Sequence, residues 1–466
     1  MVVVERRCWI SILLLLFLAL PGCSKRRLLP SEGVVSSIAT ESKTELHDTS
    51  EATSLNLEEA LEIAFTNNPN LKALSNDSRA ARARISHERA EGKFRLDLDA
   101  GISEHHLDQR LVMPTGNGVP TVFGNTLGVV GTVLRVPIDA NGKQREKVRS
   151  AKASAEVTEQ QGERFRQELA YGVKRVFYAI LAQSNVLASL NFSTKQLEKH
   201  RERVANLLQA KKVAHVDVLR IDVRLADLRQ KIVSEQGVLD VLRHRLAYML
   251  GRPRNSSALN VDGELSSVEK EKQVSISFEE VLKQRPDYQA SRFNLEANKA
   301  RVRSLRSHKK PDVEMRASAG RRWMIDPTEQ PTGTEKAENV GFVGLFLDLP
   351  LFDSGRLAAS IKEEEEKLSA SRERLAAVEA KVCLDLASAQ ADCKTAKARV
   401  KATKSSIAQA KESLRIAMDR HAFGKGSLTD ILDAQSAHLD AQTNYARSLA
   451  SLHTALASLL LAQGDM

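Results

Sequence analysis

The chain has 466 residues, is 27% charged and 4% aromatic, and carries a formal net charge of +10. Its wealth of Ala, Leu, Lys, Arg and Glu suits long helices and coiled coils and argues against a compact enzyme core. The charge is spread thinly and no basic block has interleaved aromatics, so a nucleic-acid partner is excluded.

Glu5, Arg6 and Arg7 precede a leucine-dense apolar run over residues 8–20. This reads as a charged n-region and an h-region too short for a comfortable membrane span. The run ends in Leu20-Pro21-Gly22-Cys23, which resembles a bacterial lipoprotein box. That resemblance implies a signal peptide over 1–22 and acylation of Cys23. Ser24, where an Asp would redirect sorting, implies the outer membrane. Residues 23–54 have no apolar period and read as a lipidated tether.

A helix is predicted from Leu57 to Glu91, with Asn56 as N-cap and Glu58 and Glu59 in the first turn. The period then changes to two. Phe94, Leu96, Leu98, Ala100 and Ile102 alternate with polar residues and glycine, which predicts a strand with one apolar face. A Gly/Pro/Asn/Thr-rich loop over 111–126 leads to a second strand over 127–137. A long helix is predicted from Asn141 to Leu208, about 100 Å at 1.5 Å per residue. Its apolar seam runs through Leu169, Val173, Val176, Ile180, Leu187, Leu190, Leu197, Val204 and Leu208, with Gln183, Thr194 and Arg201 in the same spacing. A return helix over 216–250 stops at Gly251, before Pro253.

The second half repeats the first. LRVPIDANGKQ at 134–144 reappears as LDLPLFDSGRL at 347–357, VDVLRID at 216–222 as TDILDAQ at 429–435, and LNLEEAL at 55–61 as ISFEEVL at 276–282. One duplicated unit therefore builds the body, with a first repeat over 55–251, a linker over 252–275 and a second repeat over 276–466. Strands are predicted over 313–320 and 341–351, a second long helix from Ser354 to His421, and a return helix over 428–462. On the last strand Leu345 and Leu347 share the apolar face, while Phe346 and Asp348 share the other.

The lengths fit together. A return helix of about 35 residues and an entering helix of about 30 stack to the length of one long helix. Each chain then offers four helical columns and four strands of about ten residues, long enough to cross a bilayer. Four strands cannot close a barrel, and open edges in lipid are costly, so a spanning sheet requires several chains to share one barrel.

With LNLEEALEIAFTNNPNL at 55–71, LDLPLFDSGR at 347–356 and FGKGSLTDILDAQSAHLDAQ at 423–442, the chain resembles the TolC family of outer-membrane efflux proteins over nearly the whole body. The resemblance implies a mainly α fold with a small β part. It implies a homotrimer sharing a twelve-stranded β-barrel and a twelve-helix α-barrel, and a passive conduit in the outer membrane extending into the periplasm. The implied partners are outer-membrane lipid, a periplasmic adaptor and an inner-membrane pump. The implied adaptor contacts are the two helix–helix tips, Lys211, Lys212, Val213 and Ala214, and Gly424, Lys425, Gly426 and Ser427. The implied pore constriction is Asp430 with Asp433. The first tip lacks the glycine and serine of the second, and Arg220 stands where the second repeat has Asp433.

Two other classes compete, a periplasmic coiled-coil adaptor and a structural lipoprotein. An adaptor usually has one coiled-coil hairpin flanked by small β-domains, and a structural lipoprotein without a pore needs no alternating strands. No catalytic site, cofactor or metal is expected. The chain has no P-loop, CxxC or HExxH, His87-Glu88 is followed only by Glu91, and His105-His106 has no third ligand nearby. Cys383 and Cys393 are about 15 Å apart on one predicted helix and cannot pair.

Overall fold

The computed structural model describes residues 54–466, apart from 105, 107–108, 112–120, 124–125, 212, 252–258, 267–276 and 325–336. Cys23, the signal peptide, residues 23–53 of the tether, His105 and Lys212 lie outside the described residues.

The entering helix predicted over 57–91 is two helices, α1 (Leu57–Asn67) and α2 (Pro69–Glu91). Pro69 has no N–H and bars Asn68 from the helical region, so Asn68 takes φ −61°, ψ 121°. Its Oδ1 then accepts from the N–H groups of Asn70 and Leu71 and caps α2. Asn56 and Glu59 form a capping box that opens α1.

Strand β1 (Ser54–Leu55) pairs in parallel with β6 (Asn260–Val261), which falls within the segment read as a linker. A small antiparallel pair, β3 (Gln109–Leu111) with β4 (Thr121–Phe123), lies in the span read as a loop. The four long strands are β2 (Arg95–Glu104), β5 (Thr126–Ile138), β7 (Asp312–Met324) and β8 (Ala337–Asp348). They form one antiparallel sheet in the order β2-β5-β7-β8, with β2 and β8 at its edges.

The long helices are α3 (Lys143–Gln209) and α7 (Arg356–Ala422), each of 67 residues. Both start from a left-handed glycine, Gly142 and Gly355. Just before each, a carboxylate accepts the free amides of the first turn. Asp139 takes those of Gln144 and Arg145, and Asp353 those of Gly355 and Leu357. The return helices are α4 (His215–Met249) and α8 (Leu428–Gln463). In the second repeat α5 (Phe278–Gln284) and α6 (Pro286–Ser307) repeat the break of the first, with Arg285 before Pro286.

The predicted seam is the core except at Arg201, which is exposed and pairs with Asp222 of α4, and at Leu208, which is half-buried. Val173, Val176, Ile180, Leu190, Leu197 and Val204 are buried on α3, with Gln183 and Thr194 buried among them. Toward the tips they meet Val218, Ile221, Leu225 and Leu228 of α4 and Leu428 and Leu439 of α8. Helix α3 packs against α2 and α4 on one side and against α6 and α8 on the other, and α7 packs against α6 and α8.

Return and entering helices stack end to end. Asn68 Nδ2 donates to the carbonyl of Met249 at the end of α4 (2.9 Å), and Arg285 Nη1 to that of Ala462 at the end of α8 (3.2 Å). Gly251 and Gly464, at φ 66° and 84°, close those helices. A Cβ on Gly251 would lie 2.5 Å from the Asn67 carbonyl oxygen, and one on Gly464 2.9 Å from that of Gln284. Glycine thus serves both the left-handed turn and the close approach. Helices α4 and α2 have 35 and 23 residues, and α8 and α6 have 36 and 22, so the two stacked columns match in length.

Candidate functional site

The fold ends in the sheet on one side and in the two helix–helix tips on the other. The sheet register sorts side chains without interruption across all four strands. One row sets Leu96 beside Leu134, Ala317 and Val343, and the next sets Val136 beside Met315 and Leu345. Ile138, Val313 and Leu347 form the row nearest the helices. Leu96, Leu98, Ile102, Val343, Leu345 and Leu347 are all at least 62% exposed on this face. Phe94, Leu351 and Phe352, also exposed, lie just beyond its helical end. Among the described residues nothing covers this apolar face, and an exposed apolar surface of this kind marks a site of interaction.

The opposite face is charged and polar. Arg95, Arg135 and Arg316 form one row. Asp97 accepts from Arg95 (2.7 Å) and Arg135 (3.0 Å), while Glu314 pairs with Arg316 (2.7 Å). Phe346 lies on this face under the Arg316 guanidinium, 4.8 Å from the ring centroid, and Asp348 stands opposite Asp312. The alternation predicted for Leu345, Phe346, Leu347 and Asp348 is therefore present.

At the second tip Gly424 is left-handed (φ 71°), and Ser427 caps α8 in a capping box with Asp430. Asp430 Oδ2 accepts the Ser427 N–H at 3.0 Å, and Ser427 Oγ accepts the Asp430 N–H at 3.1 Å. The Ser427 bonds, backbone first, hold the Asp430 carboxyl below its ordinary range. A Cβ on Gly426 would come within 3.1 Å of the His421 nitrogen, so a large side chain there would distort the turn itself.

At the first tip Lys211 takes the place of Gly424 and adopts the same left-handed conformation, φ 59°. The backbone turn thus survives without its glycine, at a cost of about 1–2 kcal/mol. Ala214, in the N-cap position of α4, supplies no side-chain bond. Lys211→Gly combined with Ala214→Ser is expected to raise stability by about 1–3 kcal/mol, since a serine cap alone contributes ~0.5–2 kcal/mol. A urea midpoint equal to or below that of the parent chain would contradict this account of the tip.

Asp433 and its repeat equivalent Arg220 line one groove of 470 Å³ between α4 and α8, with Val216, Leu219, Val223 and Leu432. Arg220 turns to Asp217 on its own helix, 3.6 Å away. It is Arg224, one turn along, that crosses to α8 and donates to Ser436 Oγ. The sequence singles out Arg220 by its repeat equivalence to Asp433 and gives no sign of Arg224.

The structure brings His87, Glu88 and Glu91 together, with ligand atoms within 4.8 Å of one another. Arg84 pairs with Glu88 (2.5 Å) and Lys147 with Glu91 (3.3 Å), so both carboxylates are already neutralised. His106 is exposed. On α7 Cys383 is exposed, and Cys393 is buried with its thiol donating to the Ala455 carbonyl.

The model of the family described as "Outer membrane efflux protein" matches residues 60–252 and 278–465. The chain is 23% identical over 297 residues to the fusaric acid resistance protein FusA of Burkholderia cepacia, covering 61% of this chain and 54% of that protein. It is 25% identical over 323 residues to the multidrug resistance outer membrane protein MdtP of Escherichia coli (strain K12), covering 64% of each. These matches span less than two thirds of either relative. The outer-membrane channel OprN superposes with a TM-score of 0.76 at 18% identity, over 88% of this chain and 90% of that one, a likeness of fold.

Proposed function

The chain belongs to the outer membrane efflux protein family, and on that premise we propose that three copies form an outer-membrane channel joined to a periplasmic tunnel. The observation that supports this reading best is the apolar face kept in register across a sheet whose two edges, β2 and β8, have no strand partner among the described residues. An unpaired edge in lipid costs several kcal/mol per buried polar group. Pairing β8 of one copy with β2 of the next removes every edge and closes twelve strands. The same operation joins twelve helical columns. The charged face of each sheet then lines a water-filled lumen.

Such a conduit is passive and takes its drive from an inner-membrane pump through a periplasmic adaptor. The tips at Lys211, Lys212, Val213 and Ala214 and at Gly424, Lys425, Gly426 and Ser427 are the adaptor contacts we propose. Related proteins are named for resistance to fusaric acid and to multiple drugs, so small toxic molecules are the proposed cargo. Cys23 is the proposed lipid anchor. Cys23→Ser should abolish lipid labelling yet leave the protein in the membrane fraction, and its release to the soluble fraction would argue against a spanning barrel.

The deciding experiment is a heat-modifiable trimer extracted in detergent together with single-channel conductance. A monomer without conductance would overturn the reading. In the trimer we further propose that Asp430 and Asp433 converge as a six-carboxylate constriction, with Asp430 also capping α8. Like charges about 4 Å apart repel by roughly 1 kcal/mol in water, and such a ring attracts cations. The double variant Asp430→Asn with Asp433→Asn should lose cation selectivity and block by divalent cations. Unchanged selectivity and block would remove the ring from the mechanism.

A further inference from the structure

We propose that the outer rim of the sheet's apolar face holds a binding site for the phosphate of a lipid headgroup, built by Arg321 and Asn339 below the level of Trp323. The inference rests on the membrane-spanning reading above. Arg321 is an exposed arginine on the face that otherwise carries Leu96, Leu98, Val343, Leu345 and Leu347. It belongs to the row Ala100, Val130, Arg321 and Asn339. Its neighbour Arg322 falls in the row of Gly101 and Val129 on the opposite face.

Depth decides whether an arginine is tolerated there, because a charge facing lipid is costly at the midplane and cheap near the boundary. From the Ile138 row to the Val130 row β5 advances eight residues. That is roughly 27 Å along the strand, or about 20 Å of height at the tilt of a spanning barrel, against an apolar band of about 25 Å. Arg321 therefore sits just inside the outer boundary. The next row out contains Trp323, whose indole lies over Gly128 so closely that a Cβ there would fall 2.4 Å from Cε2. An indole at that height is where barrels place their aromatic girdle, and a long arginine beneath it can extend its head into the headgroup layer.

The chemistry of the place is that of a donor set for an anion. Asn339 stands directly opposite Arg321 and is exposed. Among the described residues no carboxylate occupies this row or either flanking row on that face. A guanidinium forks two N–H bonds onto a phosphate, and the exposed amide of Asn339 on the neighbouring strand offers a further donor. The ligand class is accordingly a phosphorylated lipid of the outer leaflet, one site per chain and three per trimer.

The test uses the full-length trimer in neutral phosphatidylcholine nanodiscs doped with a bisphosphorylated glycolipid or with its dephosphorylated form. Bound lipid is counted by native mass spectrometry. The wild-type protein should retain the phosphorylated form roughly tenfold better, the scale of one charge-assisted interaction. Arg321→Gln should abolish that preference, and Asn339→Ala should weaken it. Equal retention of both lipids by the wild type, or undiminished preference in Arg321→Gln, overturns the site. Planar-bilayer conductance of the same preparations separates the two claims. A trimer that conducts but shows no phosphate preference overturns the lipid site alone, and a chain that does not insert overturns both.

Discussion

Val343→Arg should abolish assembly of the membrane-extracted trimer, Leu345→Arg should impair it, and Leu347→Arg should be nearly neutral. The three positions lie on one face of β8 with exposures of 78%, 68% and 65%, so burial within the chain does not distinguish them. Depth does. Leu347 is in the row nearest the helices, Leu345 in the second and Val343 in the third of the six rows that end at Trp323. Arginine facing lipid costs about 2–4 kcal/mol at the midplane and about 0–1 kcal/mol near the boundary, and each trimer bears three copies. Alternation alone treats Leu345 and Leu347 as equivalent. The register across β5 and β7 shifts the greatest expected damage to Val343. Ser318→Arg, on the charged face beside Phe342, serves as the control and should assemble normally. If Val343→Arg and Ser318→Arg gave the same yield of heat-modifiable trimer, the assignment of the lipid face would be wrong.

Much of this fold is legible because its constraints are periodic. The alternation in 94–103 and 341–349 and the seam through Leu169 to Val204 recur many times, so errors at single positions average out, and the segments at 134–144 and 216–222 share one offset with their copies. The breaks at Asn68-Pro69 and Arg285-Pro286 carry an equally physical signal, a proline that restricts its predecessor. The apolar pattern on either side continues across them and invites a single helix. The left-handed turn at Lys211 has no sequence signal, since glycine is absent and only the packing of α3 against α4 imposes it. The capping box that opens α8 has a local signal in the three-residue spacing of Ser427 and Asp430. Selecting Arg224 over Arg220 as the residue that reaches α8 needed the rotation of α4 about its own axis, which composition and spacing do not contain.

Arg285→Met should destabilise the chain by about 3–5 kcal/mol at neutral pH, the scale for breaking a buried ion pair from one side. The Arg285 side chain is 0% exposed. Its Nε and Nη2 donate to Asp287 at 2.9 and 2.6 Å, Nη2 also reaches Asp385 at 3.0 Å, and Nη1 caps Ala462. Methionine fills a similar volume but leaves two carboxylates, 22% and 32% exposed, without their cation. The first repeat has the same junction in neutral form, with Asn68 bonding Met249. Asn68→Ala should therefore cost only about 1–3 kcal/mol. Acid separates the two junctions further. Burial alone would raise the Asp287 pKa, but the hydrogen bond and charge of Arg285 outweigh it and hold the carboxyl below its ordinary range. A depressed folded-state value contributes stability that is fully present above the unfolded pKa of about 3.9 and is lost as pH falls through the folded value. The wild type should keep this contribution down to about pH 4. In Arg285→Met the same carboxylates crowd each other instead, and protonation relieves them. The difference in thermal midpoint between wild type and Arg285→Met should accordingly narrow from pH 7 to pH 4, while that for Asn68→Ala stays constant. A gap for Arg285→Met that does not change with pH would mean that the arginine acts at this junction through packing and the Ala462 carbonyl rather than through its charge.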